Sequence, residues 1–175
     1  MTENTILALD PSSKSTGYAV FTNEKLVDYG CITAGSANLF NRIDKMAEEL
    51  EKIIQKYDFT HVYIEDVYPE DVRNNIQVYK ALTYLQGFIL HLLNKYDLKH
   101  TFFTSAEWRK KCGIHTGPGV KRESLKPLDI KFVQNQFGIK VNDDVADAIS
   151  IGFAAVGGKI VKSQTIITDD GFEFF

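Results

Sequence analysis

Two short apolar segments that each end in an acidic residue place the strongest constraint on the fold of this chain. Residues 5–10 read TILALD, and residues 61–67 read HVYIEDV. An apolar run of this length predicts a central β-strand, because side chains alternate between the two faces of a strand and here both faces are covered. Both segments are therefore predicted as inner strands of a sheet, and Asp10 and Glu65 stand where these strands end.

The rest of the chain is predicted to alternate between helices and strands after an initial hairpin. The further predicted strands are residues 18–21 (YAVF), 25–33 (KLVDYGCIT) and 99–105 (KHTFFTS), and the predicted helices are residues 38–57, 74–96, 106–112 and 120–137, with a final helix from about residue 142. This order predicts an α/β fold with a mixed five-stranded sheet and helices on both faces. Residues 5–157 would form one domain, and the C-terminal tail, residues 158–175, has no predicted fold.

The final helix carries an acidic residue on its otherwise apolar side. Asn142 or Asp143 can cap the start of this helix, and Asp144 in its first turn interacts favourably with the helix dipole. Asp147 is different, because its row at helical spacing continues through small and apolar side chains: Ile151, Ala154 and Gly158. A carboxylate at the head of a core-facing row needs a partner inside the protein.

Four acidic side chains are thus predicted to meet at one edge of the sheet: Asp10, Glu65, Asp144 and Asp147. Neighbouring parallel strands end at the same edge, where ligands bind in open α/β sheets. Carboxylates gathered in a partly dry site repel one another, and Mg²⁺ or Mn²⁺ with several waters removes the conflict. A pair of such ions is the usual arrangement for in-line attack of water on a phosphodiester, with one ion activating the water and the other stabilising the leaving 3′ oxygen.

Each of these acids also has an ordinary interpretation. Asp10 precedes a proline and could simply start a turn. Glu65 and Asp66 could lie in solvent at the end of a strand. Asp144 could act only on the helix dipole. The metal hypothesis therefore rests on the four acids occurring together, at the ends of successive elements.

The distribution of charge bears more on nucleic-acid binding than the net charge of -3. Residues 105–131 hold seven basic and three acidic side chains, a local excess of four positive charges. Clustered basic side chains bind phosphates electrostatically. This stretch is therefore a candidate for DNA contact.

The cysteines and the hydropathy pattern indicate the compartment. Cys31 and Cys112 stand far apart, which predicts a reducing environment and argues against a disulfide framework or a zinc site. No run of 18 apolar residues exists, and the first residues lack the basic segment of a signal peptide. We therefore expect a cytoplasmic protein without membrane contact.

Three motifs taken together resemble the RuvC family of Holliday-junction resolvases, within the ribonuclease H-like superfamily. The first is an aspartate, a proline, a turn of small residues and then TG with an aromatic residue, as in ALDPSSKSTGYAVF. The second is a glutamate that ends a strand with an aromatic residue three positions on, as in VYIEDVY. The third is two aspartates three apart on the last helix, as in DDVADAISIG. The resemblance covers roughly residues 5–157, and the compact chain is similar to versions carried by phages of Gram-positive bacteria.

This resemblance implies a ribonuclease H-like fold and a homodimer that binds four-way DNA junctions and related branched DNA. It implies symmetric nicking of two strands by water attack on the phosphodiester. It also implies Mg²⁺, with Mn²⁺ possible and two ions per site, held by Asp10, Glu65, Asp144 and Asp147. For a phage-encoded enzyme, the compartment would be the host cytoplasm.

The resemblance also implies DNA contacts outside the four acids. Tyr68 would stack near the junction crossover, the alternative being an ordinary surface tyrosine. Ser12 stands where the family commonly has glycine, in the turn that would approach the DNA. The family's basic residues correspond approximately to Arg109, Lys110, Lys121 and Arg122, for which the alternative is a solvated helix face.

The predicted helix at residues 74–96 is apolar over most of its circumference from Leu82 onward. A single buried stripe does not need so many apolar residues. One face would cover the sheet, and another would meet the same helix of a second copy across a two-fold axis. The alternative is a helix buried between the layers of a monomer.

The tail, which ends in SQTIITDDGFEFF, lies outside the resemblance. An acidic, aromatic-ended segment could recruit a protein partner. The alternative is a flexible or edge-packed terminus.

Other functions compete with a metal-dependent structure-specific endonuclease. A non-catalytic branched-DNA-binding protein would keep the scaffold without cutting, and a nuclease of the YqgF type would act on RNA. An actin-like kinase has a similar first phosphate loop but needs two copies of this fold, and this chain has one Asp-turn-TG segment.

Overall fold

The computed structural model describes residues 3–35, 38–68, 75–114 and 122–159, with the side chains of 122 and 123 outside the description. The strands are β1 (Thr5–Asp10), β2 (Ser15–Thr22), β3 (Lys25–Thr33), β4 (His61–Glu65) and β5 (His100–Phe103), and the helices are α1 (Leu39–Lys56), α2 (Ile76–Lys95), α3 (Ser105–Lys111), α4 (Arg122–Phe137) and α5 (Asp143–Val156). Most of the tail, residues 160–175, lies outside the described residues, so the expected partner contact there stays a prediction.

The five strands form one mixed sheet in the order β3-β2-β1-β4-β5. β1, β2 and β3 are antiparallel neighbours, whereas β4 is parallel to both β1 and β5. This arrangement confirms the predicted mixed five-stranded α/β sheet. It also places the carboxyl ends of β1 and β4 side by side, since Leu9 pairs with Ile64.

Alternation along β1 builds two hydrophobic layers, one on each face of the sheet. Leu7 and Leu9 pack in a core with α1 and α2, which contribute buried side chains such as Leu50 and Leu85. Ile6 and Ala8 belong to the opposite core, which α3, α4 and α5 cover. Burial of one Leu or Ile side chain stabilises the folded state by about 1.5–3 kcal/mol. The inner strands are therefore held in place by the side chains that they bury in both layers.

The element boundaries differ from the predicted ones mainly at β2, which begins at Ser15 instead of residue 18. Residues 15–17 show no apolar pattern, yet they pair with Cys31, Ile32 and Thr33 of β3. Backbone pairing with a neighbouring strand, which local sequence does not show, extends this strand. β4 ends at Glu65 and β5 spans four residues, both shorter than predicted.

None of the helices in the described ranges combines the length and the hydrophobicity needed to cross a membrane.

Candidate metal centre at the edge of the sheet

Three carboxylates from three separate elements lie together beside the ends of β1 and β4. Asp10 ends β1, Glu65 ends β4 and Asp147 lies on α5, and one oxygen of each lies within 4.8 Å of one oxygen of the other two. Asp10 and Glu65 are half-buried, while Asp147 is buried. The predicted convergence at this sheet edge is therefore found for these three side chains, which we call the carboxylate trio.

The trio exists because α5 approaches β2 unusually closely. Gly17 lies opposite Asp10 in the antiparallel pair, so both residues face α5. A Cβ atom on Gly17 would overlap the backbone carbonyl of Asp144. Asn142 caps the helix at this point, with its side-chain oxygen accepting from the Val145 N–H at 3.0 Å. The close packing brings the first turn of α5 against the sheet edge.

Asp144 lies beside the trio but is not part of it. Its Oδ2 accepts a hydrogen bond from the Ser15 hydroxyl at 2.5 Å. The Ser15 oxygen also lies 2.8 Å from the Cys31 sulfur. Asp144 remains close enough to contribute to the raised pKa of Asp10. Its predicted place as a metal ligand stays a prediction.

The trio is electrostatically unfavourable by itself. Burial and the neighbouring Glu65 raise the pKa of Asp10 well above its usual value. Burial, together with the negative charges of Asp129 and Glu65, raises the pKa of Asp147 to about 9. Asp147 Oδ1 is buried and has no hydrogen-bond partner among the described residues. These carboxylates would be stabilised in their charged form by an added positive charge.

This donor set fits a hard divalent cation. Mg²⁺ and Mn²⁺ prefer carboxylate oxygens together with water, and a cation at the trio would offset the mutual repulsion. Oδ1 of Asp147, which has no hydrogen-bond partner among the described residues, supplies an oxygen that a cation could bind. Asp10, Glu65 and Asp147 could therefore hold such an ion.

The pH dependence of stability tests this electrostatic description. The folded-state pKa of Asp147 lies above its unfolded value, so the stability that its proton provides is complete at low pH and is lost as the pH rises toward about 9. In EDTA, we expect the free energy of unfolding to fall by up to about 2 kcal/mol between pH 7 and pH 9, which is roughly 4–8 °C in Tm. Mg²⁺ should shrink this decline because it binds the charged carboxylates of the folded state.

Thermal unfolding of the protein in EDTA and in Mg²⁺ across this pH range measures the effect. The Asp147→Asn variant serves as the control and should show a flatter profile in EDTA. Equal pH slopes for the protein with and without Mg²⁺ would contradict a cation site at the trio.

Arg109 does not occupy the exposed position that the DNA-contact prediction requires. Its side chain is buried, and its guanidinium donates to both oxygens of Asp129, with the shortest bond 2.8 Å long. The same Nη2 atom lies 3.7 Å from Oδ2 of Asp147. A guanidinium enclosed in this way cannot reach DNA phosphates, so the prediction for Arg109 is corrected.

The other residues predicted to contact DNA lie in different surroundings. Lys110 is exposed on α3, and Tyr68 is exposed three residues beyond Glu65. Ser12 is half-buried in the β1–β2 turn, where its N–H donates to the Thr16 hydroxyl and its carbonyl accepts from the same hydroxyl. Lys121 lies outside the described residues, as does the side chain of Arg122, the first residue of α4.

Sequence reasoning did not single out three residues beside the trio. Ser15 binds Asp144, and Asp129 binds Arg109. Lys126 pairs with Asp143 at the start of α5, and it is close enough to Asp144 and Asp147 for their charges to contribute to its raised pKa. Of these three residues, only Lys126 could have been noticed in the sequence, because it is one of the basic side chains in residues 105–131, the candidate stretch for DNA contact.

Comparisons with known proteins agree on one family. The family model described as crossover junction endodeoxyribonuclease RuvC matches residues 6–155. The enzyme of that name from Fusobacterium nucleatum is 28% identical and the match covers 91% of this chain and 85% of that protein. The one from Campylobacter jejuni is 33% identical over 67 residues, which cover 36% of this chain and 42% of that protein.

Solved structures share the fold. RuvC of Thermus thermophilus in complex with a Holliday junction substrate gives a TM-score of 0.68 at 11% identity, covering 88% of this chain and 93% of that one. The Fowlpox virus resolvase in complex with Holliday junction DNA gives a TM-score of 0.57 at 16% identity, covering 87% of this chain and 96% of that one. These similarities extend over most of the described elements.

Proposed function

Because the chain belongs to the RuvC family of crossover junction endodeoxyribonucleases, we propose that it resolves Holliday junctions and related branched DNA by metal-dependent nicking. The observation that carries this proposal is the carboxylate trio, since the family assignment supplies the substrate class and the trio supplies a place for the chemistry. Such an enzyme would act in the cytoplasm, or in that of the host if a phage encodes it.

The residues of the trio would bind and orient divalent cations at the scissile phosphate. Asp10, Glu65 and Asp147 hold their positions through the ends of two strands and the close contact of α5 with β2. Asp144, which accepts a hydrogen bond from Ser15, would be the fourth acidic residue of the metal site. When bound, two Mg²⁺ ions would activate the attacking water and stabilise the leaving 3′ oxygen.

Exposed side chains around this edge would contact the DNA. Lys110 and Lys126 lie on the elements next to the trio, and the stretch between them includes Lys121 and Arg122. Positive side chains here would neutralise phosphates and make binding sensitive to salt. The exposed ring of Tyr68 is suited to stacking on an unpaired base at the crossover.

A panel of synthetic DNAs tests the proposal. Four-way, three-way and linear duplex substrates are incubated with the protein, with and without Mg²⁺, beside a structured RNA. We expect paired nicks in branched DNA that require the metal. Metal-dependent cleavage of RNA alone would favour the YqgF-type alternative, and tight junction binding without any cleavage would favour the non-catalytic one.

The outer face of α2 supports a homodimer. Leu85, Ile89 and Leu93 of this helix are buried against the sheet. Large apolar side chains of α1 and α2 are exposed nevertheless, and we call them the outer α2 face, as follows: Ile76, Val78, Tyr84 and Phe88, with Phe40 of α1 stacked on Tyr84 at 6.3 Å. This outer α2 face would meet its equivalent across a two-fold axis, which presents two identical sites to the two strands of a junction.

Charges on the outer α2 face should separate the two copies. We expect Tyr84→Glu/Phe88→Glu to give a monomer, because four carboxylates would otherwise be buried in a symmetric interface. Light scattering after gel filtration measures the mass, and a cruciform plasmid distinguishes paired incision, which gives linear DNA, from single nicks.

The matched control is Asn135→Glu, an exposed position on α4, which covers the opposite face of the sheet. It should remain dimeric and give linear product. A Tyr84→Glu/Phe88→Glu variant that stays dimeric would exclude this face as the interface.

A further inference from the structure

A buried ion pair lies directly behind one member of the carboxylate trio. Arg109 of α3 donates from Nε and Nη2 to the Asp129 carboxylate of α4 at 2.8–3.2 Å. Asp129 is fully buried, and Arg109 is 8% exposed. The pair joins two helices that flank α5, and its guanidinium faces Asp147 at 3.7 Å.

The guanidinium has little freedom to move. Its carbon lies 4.2 Å from the centre of the fully buried Trp108 ring, which stacks on it. The start of α3 is fixed by a capping box, in which Thr104 and Glu107 each satisfy the other's backbone N–H. Arg109 is therefore held at a defined position by its ring neighbour, its helix and Asp129.

Because of this arrangement, the two carboxylate oxygens of Asp147 have different surroundings. Oδ2 faces the guanidinium, whereas Oδ1 is buried and has no hydrogen-bond partner among the described residues. A guanidinium fixed on one side of a carboxylate orients the other oxygen and leaves it available to a cation. We propose that the Arg109–Asp129 pair positions Asp147 for metal binding, with Asp129 holding Arg109 back from full pairing with Asp147.

Stability alone gives a poor account of this pair. Buried ion pairs contribute little net stability, because the loss of hydration offsets their attraction, and apolar residues of similar size often replace them without cost. Asp129 also adds a negative charge next to carboxylates that already repel one another. A charged pair at this place is explained if it controls the distance between Arg109 and Asp147.

The inference rests on the proposed function, and metal binding measured without DNA separates the two. The first variant is Arg109→Met/Asp129→Leu, which replaces the pair by apolar side chains of similar size. We expect a Tm close to that of the unchanged protein and a roughly 10–100-fold weaker affinity for Mn²⁺, by calorimetry and by the electron paramagnetic resonance of the bound ion. Junction nicking at saturating Mn²⁺ should also be slower.

The second variant, Asp129→Asn, decides the matter if the first does not fold. It keeps Arg109 but removes the charge that holds it, so Arg109 should pair with Asp147 and compete with Mn²⁺, again weakening affinity at least about tenfold. The matched control replaces a partly exposed ion pair distant from the trio by the same apolar residues, Lys95→Met/Glu51→Leu, and should bind Mn²⁺ as the unchanged protein does.

The outcomes are distinguishable. A folded Arg109→Met/Asp129→Leu protein, or failing that an Asp129→Asn protein, with unchanged Mn²⁺ affinity overturns the positioning role. An unchanged protein that binds no Mn²⁺ and cuts no branched DNA overturns the proposed function instead.

Discussion

Replacing Asp147 with asparagine is expected to reduce Mg²⁺-dependent nicking of a four-way junction by at least about a thousandfold, or roughly 4 kcal/mol of transition-state stabilisation. The amide keeps the shape of the side chain but removes the charge that would hold a cation beside Asp10 and Glu65. Junction affinity, measured in EDTA, should stay within about twofold, because phosphate contacts come from basic side chains elsewhere.

Asp143→Asn is the matched control for this experiment. Asp143 lies one turn earlier on α5 and pairs with Lys126, outside the trio. Its loss should cost at most about 1 kcal/mol of stability, since both partners are partly exposed. Asp147→Asn protein that nicks junctions at a rate near that of the control would show that the trio does not hold the catalytic metal.

Local sequence pattern was sufficient to predict the scaffold and the strand-borne acids. The apolar segments that end in Asp10 and Glu65 are inner strands, and the two acids meet because β1 and β4 are parallel neighbours. The inward direction of Asp147 followed from its row on α5, which the structure buries. These features depend on periodicity along a single element, which sequence shows directly.

Contacts between elements that are distant in the chain could not be read in the same way. Arg109 belongs to a short run of basic residues on α3, which locally is indistinguishable from an exposed basic face. Only the packing of α4 against α5 brings Asp129 to it and encloses both. Likewise, the Ser15 hydroxyl reaches Asp144 across 129 positions of sequence. Both contacts depend on the separation of helices and strands in space, which periodicity does not specify.

The motif glycine at position 17 shows why such spacing matters. Gly17 faces α5 directly opposite Asp10, and the first turn of α5 occupies the space of its missing side chain. The φ angle of Gly17 is not positive. Position 17 therefore requires glycine because a side chain has no space there, and not because the backbone has an unusual conformation. The glycine of the threonine–glycine motif is thus explained by the close contact between β2 and α5, which places Asp147 beside the strand ends.

Gly17→Ala should therefore harm both stability and activity. The added methyl group meets backbone atoms, which cannot rotate away as a side chain can, so α5 must shift from β2. We expect a loss of about 3 kcal/mol, or roughly 6–12 °C in Tm, together with slower Mg²⁺-dependent nicking at temperatures where the variant is still folded. Asn135→Ala on α4 is the control, because this helical position is exposed and alanine there should stabilise the helix by up to about 1 kcal/mol. Gly17→Ala protein as stable and as active as the control would mean that α5 can move from β2 without displacing Asp147, and the geometric basis of the trio would then be wrong.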